Sequence, residues 1–345
     1  MNLEIALLLG QDGLVNGAIY ALLALALILV FTVTRVIFVP QGEFVTFGAL
    51  TMAALQHGSV PGVVLFLVIT GWIAAGVELW SGFFTPHRRR SMFLASLFVL
   101  YPTLLAVVLY KVTGAPTSVP LQVVVTLAIV VPFGAILYRI VFQPMANASV
   151  LVLMIAAVAL HLLLMGVALL AFGPEGARTD ALFVASFNIG SMTVTAQSLT
   201  AIGASVILIA MLFWAFTYTL RGKALRATAV NSVGARLVGV RPEVAGAVCF
   251  TLAALVGVIS GILISSITTI YFDTGLLIAL KGFIAAIIGG LASYPLGALG
   301  AILVGVIEAF SSFWASAFKE ALLFGLIVPI LLWLSVAHPS KDETE

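Results

Sequence analysis

Arg221-Gly-Lys-Ala-Leu-Arg-Ala-Thr-Ala-Val-Asn-Ser-Val-Gly-Ala-Arg-Leu-Val-Gly-Val-Arg241 lies between two long apolar segments, 196–218 and 244–266. It holds five of the 15 Lys and Arg residues of a chain that is 63% hydrophobic and 8% charged. Apolar runs of about 20 residues read as membrane-crossing helices, and a basic stretch joining two of them reads as a cytoplasmic loop. Inside the loop, Leu225, Ala229, Val233, Leu237 and Val240 recur at spacings of three and four, which predicts one apolar helical face with Arg226 and Arg236 beside it. Asn231 and Ser232 are placed to cap a second short helix running through Gly234 to Val238; Gly239 ends it and Pro242 opposes its continuation. Ala227, Ala229, Gly234 and Ala235 are small enough to let a partner's groove approach the backbone. The plainer alternative is an ordinary basic loop that only sets topology.

Working outward, the mean hydropathy of +1.26 over 345 residues places the chain among polytopic helical membrane proteins. In lipid every backbone polar group must be satisfied internally, and the alternation of a barrel strand is absent, so the expected fold class is all-α. A net charge of +2 gives no footing for nucleic acid. The single cysteine, Cys249, rules out an intrachain disulfide and leaves the redox compartment open. The first residues lack the basic region and cleavage site of a signal peptide, so Leu14–Thr34 is expected to be a retained span. Zinc-type Cys/His spacing, a P-loop and a nucleophile elbow are missing from the sequence.

Spans are expected at about 14–34, 36–56, 62–80, 92–110, 120–138, 150–172, 196–218, 244–266, 276–292, 296–316 and 320–337. With the N-terminus outside, eleven basic residues fall inside: Arg35, Arg88, Arg89, Arg90, Arg139, the five of the 221–241 loop, and Lys341. Three fall outside, namely Lys111, Arg178 and Lys319, and Lys281 stays in the membrane. That bias predicts an outside N-terminus and a cytoplasmic C-terminus. The whole of 1–345 reads as one transmembrane domain. Two segments break the pattern. Val39-Pro-Gln-Gly-Glu43 interrupts the second span, and 276–292 carries Lys281 and runs into Gly289-Gly290 and Ser293-Tyr-Pro295. Interrupted helices point to a substrate path.

Glu43, Lys281 and Glu308 are the ionisable residues placed at membrane depth or its edge, where a charge costs roughly 2.5–3.5 kcal/mol. Lys281 and Glu308 read either as a pair locking two helices or as path residues; Glu43, following a helix break with Gln41, reads as functional. Asn16 and Tyr20, one turn apart, either line the path or bond a neighbouring helix. His161 reads as a packed, neutral histidine, with no partner at ligand spacing. Gly257 with Gly261, and Gly297 with Ala301, read as close helix packing. Arg88–Arg90 reads as a topology determinant that also touches anionic lipid. Trp72, Trp80, Trp314 and Trp333 read as interfacial anchors.

The sequence resembles the integral-membrane permeases of branched-chain amino acid ABC importers, of the LivH type. The blocks that carry the resemblance are Gly13-Leu-Val-Asn-Gly-Ala-Ile-Tyr-Ala-Leu-Leu-Ala-Leu25, Arg35-Val-Ile37 with Gly42-Glu-Phe44, and Phe172-Gly-Pro174. Further on they are Gly222-Lys-Ala-Leu-Arg-Ala227 through Ala235-Arg-Leu-Val-Gly239, and Lys281-Gly-Phe-Ile-Ala-Ala-Ile-Ile-Gly-Gly290 with Gly297 and Glu308. The chain departs from the family where Phe38-Val-Pro-Gln41 replaces Asn-Phe-Ala-His, in lacking an acidic residue near Asn231 or Val233, and in an additional helical pair over about 62–118.

The resemblance implies a translocation subunit without its own nucleotide site. Two cytoplasmic ATPase subunits would bind ATP and Mg2+, with a second permease making a heterodimer and an extracytoplasmic substrate-binding protein delivering the solute. It implies coupling to the ATPases through 221–243, with Arg226, Asn231, Ser232, Ala235, Arg236, Leu237 and Gly239 as the residues concerned. The path residues would be Asn16, Tyr20, Gln41, Glu43, Lys281 and Glu308. Expected substrates are branched-chain or other hydrophobic amino acids, or a related small polar solute. The alternative is an ion-coupled secondary transporter in which Glu43 and Lys281 titrate or coordinate.

Overall fold

The computed structural model describes residues 3–83, 88–112, 118–189, 192–291, 293–330 and 332. In chain order its helices are α1 (Leu3–Thr34), α2 (Gln41–Gln56), α3 (Val63–Phe83), α4 (Arg88–Val112), α5 (Val119–Val130), α6 (Pro132–Leu137) and α7 (Val150–Phe172). There follow α8 (Ala196–Tyr218), α9 (Leu220–Val230), α10 (Ser232–Leu237), α11 (Pro242–Ser265), α12 (Thr274–Ile288), α13 (Tyr294–Trp314) and α14 (Lys319–Gly325). A small antiparallel hairpin, β1 (Ser186–Ile189) with β2 (Met192–Thr195), precedes α8 and was not anticipated from the apolar periodicity. The protein is an all-α polytopic membrane protein in every other respect.

Eight of the eleven expected crossings are long and apolar enough to span a membrane: α1, α3, α4, the run 119–142, α7, α8, α11 and α13. The remaining three are shorter, each for a visible reason. α1 stops where Arg35 adopts φ 59°, a left-handed conformation that lets its N–H cap the Phe31 carbonyl at 2.8 Å. Residues 35–40 are non-helical, so α2 starts only at Gln41. α12 ends at Ile288, and Gly290 and Leu291, both at positive φ, turn the chain into α13. The last expected span is described as α14 with helical residues 327–330 and 332; Trp333 and Lys341 lie outside the described residues.

Two boundaries depart from expectation. α1 begins at Leu3 rather than Leu14. Arg88, Arg89 and Arg90, expected in a loop, are the first three residues of α4. The helix over 119–142 is not continuous either. Pro132 cannot donate an N–H, so α5 and α6 separate there, and the run ends in a π turn over Tyr138–Phe142 that carries Arg139.

The chain packs as two compact units, one of residues 1–28, 183–214 and 277–345, the other of 29–182 and 215–276. Apolar side chains gain little from leaving lipid for a helix interface, so association in a membrane rests on close van der Waals approach, which small residues permit. In the first unit α1 lies against α13. A Cβ on Gly13 would stand 2.7 Å from Val306 Cα, and one on Gly17 2.8 Å from Ile302 Cα. In the second, α2 lies on α11, where a Cβ on Gly48 would stand 2.9 Å from Val258 Cα and one on Gly257 2.7 Å from Phe44 Cβ.

Beside the α1–α2 break, Phe38 is fully buried against Phe44, Phe142 and Phe250, with ring centroids 5.7, 5.8 and 4.7 Å apart. Phe38 is therefore a core residue that plugs the interruption. Outward faces remain apolar: Leu151, Leu162 and Leu170 of α7 and Ile207 and Trp214 of α8 are exposed, as acyl chains require. Trp72, Trp80 and Trp314 are exposed as well.

Candidate functional site

The basic stretch folds as an elbow. Thr219 opens α9 by accepting from Gly222 N at 3.0 Å, and Asn231, in extended conformation, ends α9 and opens α10 by accepting from Gly234 N at 2.8 Å. Gly239, at φ +87°, terminates α10. The expected second helix and its caps are thus present. The single apolar face from Leu225 to Val240 is not, because Asn231 breaks the helix and sends the two halves in different directions. Leu225 turns inward and is buried, whereas Val233 and Leu237 are exposed, Leu237 by 85%.

Ala235 is buried at 3% and faces the elbow's own packing. Arg226 donates to the Thr217 carbonyl at 2.9 Å, and Arg236 pairs with Glu243 at 3.0 Å. Ser232 is the first residue of α10 and exposed. Val230, Val233, Leu237 and Val238 together present bare apolar side chains among arginines. Water alone does not explain such a cluster on a polar loop; an exposed apolar patch with a charged rim is a surface suited to contact with another protein or a membrane.

Two buried polar clusters account for most of the other candidate residues. In the first unit, Lys281 of α12 forms a close ion pair with Glu308 of α13 and lies 3.4 Å from Glu320 at the start of α14. Tyr20 of α1 donates its hydroxyl to the other Glu308 oxygen at 2.6 Å, and the Lys281 ammonium sits 5.8 Å from the Tyr20 ring centroid. Both Glu308 oxygens and the ammonium are satisfied, which is what makes a buried ion pair tolerable. Glu320 was missed in the sequence, where it reads as the edge of the final span. Asn16 is half-buried one turn before Tyr20.

In the second unit, Glu43 stands in the first turn of α2, fully buried, where the helix dipole favours a carboxylate. His161 of α7 brings Nδ1 to 2.9 Å from Glu43 Oε1. His161 is packed as expected, but it faces a carboxylate that lies on another helix, beyond the reach of spacing arguments. Gln41 donates from Nε2 to the Ala253 carbonyl at 2.9 Å, anchoring the helix start to α11. Among the described residues Gln41 Oε1, both Glu43 oxygens and Thr46 Oγ1 are buried without a hydrogen-bond partner. Their lone pairs leave the start of α2 rich in unpartnered acceptors, able to take a hydrogen bond from a donor. Among the described residues there is no cluster of His, Cys, Asp and Glu that could hold a metal ion.

Residues 11–331 match the family described as branched-chain amino acid transport system / permease component. The chain is 26% identical over 220 residues to the high-affinity branched-chain amino acid transport system permease protein LivH of Salmonella typhimurium, covering 62% of this chain and 71% of that one. It is 26% identical over 256 residues to the corresponding protein BraD of Pseudomonas aeruginosa, covering 71% and 83%. Over 106 residues it is 35% identical to the autoinducer 2 import system permease protein LsrC of Shigella flexneri, covering 30% of each. No solved structure gives a significant match. A helical membrane chain with a capped basic elbow and interrupted helices, matched over nearly its whole length, belongs to the branched-chain amino acid transport permease family.

Proposed function

We propose that this chain is the translocation subunit of an ATP-binding-cassette importer in a prokaryotic inner membrane. Its N-terminus lies outside and its C-terminus in the cytoplasm. It works with two cytoplasmic ATPases that bind ATP and Mg2+, a second permease and an extracytoplasmic binding protein. The observation that carries the reading is the α9–α10 elbow, whose bare Val230, Val233, Leu237 and Val238 stand on a capped, rigid support. An ATPase groove closing on ATP would grip this elbow and move α8 and α11, between which it is strung. The bundle would then pass between two states, each favoured by a different ligand. Because such coupling is reciprocal, arrival of the loaded binding protein raises ATPase activity.

Branched-chain or other hydrophobic amino acids fit the acceptor-rich start of α2. Glu43 and Gln41 Oε1 are unpartnered acceptors, which suits a substrate that carries an ammonium group. The satisfied Tyr20–Lys281–Glu308 network reads better as a helix lock than as a path.

The Glu43–His161 pair favours one second reading, an ion-coupled secondary transporter in which that pair titrates. Val233→Glu with Leu237→Glu separates the two. The importer reading expects the chain to fold and insert while its ATPase is lost on purification in mild detergent. Retained uptake with no ATPase attached would favour the second reading. Ala235→Glu is a poorer probe, since a carboxylate at that buried site would unfold α10 as well.

A further inference from the structure

The additional helices α3 and α4 contribute no residue to the docking elbow or to the polar cluster at the start of α2. They form a tight antiparallel pair: a Cβ on Gly71 would stand 2.9 Å from Pro102 Cγ, and one on Gly82 2.6 Å from Ser91 Oγ. Between α4 and α11 lies an open cavity of about 1090 Å³, walled also by α3 and by the π turn after α6. That exceeds the roughly 300–1,000 Å³ of an ordinary small-molecule pocket. Its lining changes character along its depth. Arg90, Arg139, Arg236 and Arg241 stand at helix ends, whereas Leu97, Phe98 and Val248 line the stretch one to two turns further in.

The cationic end is under-compensated in three independent ways. Arg139 is tied to Glu78 and to Ser81 Oγ, yet its Nε is buried without a hydrogen-bond partner among the described residues. Arg236 has Glu243, while Arg90 and Arg241 have no ion-pair partner among the described residues. The lining therefore carries four guanidinium groups against two carboxylates. Finally, α4 begins with three arginines at the positive end of its own dipole, and α11 directs its N-terminus to the same cavity. Arginines at a helix N-terminus are disfavoured unless an anion stands among them.

We infer that this cavity is a binding site for the phosphate headgroup of an anionic phospholipid, with an acyl chain lying along the apolar lining. A soluble anion would satisfy the arginines but leave Leu97, Phe98 and Val248 facing water. A zwitterionic lipid would cover the apolar wall and leave the surplus charge. Only an anionic amphiphile matches both ends, and a basic pocket between helices at the headgroup level is a recognised form of lipid recognition. The site gives α3 and α4 a role: they complete one wall of a lipid clamp next to the moving elbow, since Arg236 belongs to both. This inference does not depend on the energy source of transport.

The test uses the full chain with whatever subunits co-purify, delipidated and placed in nanodiscs of phosphatidylcholine with graded phosphatidylglycerol, read by native mass spectrometry. Retention of phosphatidylglycerol over phosphatidylcholine is expected. Arg90→Gln with Arg241→Gln should weaken it roughly 10- to 30-fold, on the order of a surface arginine's contribution taken twice. Arg221→Gln with Lys223→Gln removes the same charge at exposed positions outside the cavity and should leave retention intact, controlling for folding and overall charge. Equal retention of the two lipids, or undiminished retention in the Arg90/Arg241 variant, overturns the inference. Displacement of phosphatidylglycerol by inorganic phosphate alone would show a soluble-anion site and overturn it too.

Discussion

Glu308 serves two partners at once, the Lys281 ammonium on one oxygen and the Tyr20 hydroxyl on the other. Removing one member of a buried ion pair strands the other and costs about 3–5 kcal/mol, whereas replacing both by apolar groups is often neutral. Glu308→Ala should therefore lower the thermal midpoint of the detergent-solubilised protein by an amount equivalent to about 3 kcal/mol. Glu320→Ala, at a site about a third exposed, should cost no more than about 1 kcal/mol. Lys281→Met with Glu308→Leu should recover most of the loss, and the cycle of single and double variants gives the coupling directly. Equal effects of the two single alanine variants would mean that Glu308 is no lock.

Glu43 presents the opposite case, a buried carboxylate that lies 2.9 Å from His161 Nδ1 while neither of its oxygens has a hydrogen-bond partner among the described residues. Glu43→Gln should leave assembly intact and slow transport at least tenfold, about 1.4 kcal/mol in the barrier. Lys281, Glu308 and Glu43 were legible in the sequence because charge is rare in an apolar chain. Their pairings were legible only in part. Lys281 and Glu308 lie on successive helices, but His161 reaches Glu43 from a helix that spacing cannot place.

At the scale of the element, boundaries were readable wherever chemistry marks them locally. α7 spans Val150–Phe172 as expected because Ser149 caps its start and Gly173, at φ +84°, closes its end. α8 likewise matches 196–218. The elbow's apolar row misled because helical spacing continues through Asn231, while the backbone there is extended. The α1–α2 break was visible in Pro40, but not the role of Phe38 as an aromatic plug, which depends on rings from three other segments.

Close helix packing gives the element-scale prediction. Gly48→Val pushes a side chain into the backbone of α11 and should destabilise the protein by about 1–3 kcal/mol. Gly166→Ala, on α7 with nothing within 4 Å of the new methyl, should instead stabilise it by up to about 1 kcal/mol. Thermal unfolding of both variants in the same detergent checks the contrast. A Gly48→Val protein as stable as wild type would show that α2 and α11 do not pack through their glycines.

For the whole molecule, the central claim is that transport is powered through the elbow by a separate ATPase, and not by an ion gradient through Glu43. The chain's own features divide accordingly: an exposed apolar patch at Val233 and Leu237, and, among the described residues, only a few buried ionisable groups, with Lys281 and Glu308 satisfying each other. Family membership supports transport through the membrane. The decisive measurement is uptake of labelled leucine into liposomes holding the complex co-purified with this chain, with binding protein outside and ATP enclosed. The account predicts uptake that needs enclosed ATP, survives collapse of the ion gradients, and disappears with Val233→Glu and Leu237→Glu. Uptake by the chain alone, driven by a proton gradient without ATP and abolished by Glu43→Gln, would contradict it.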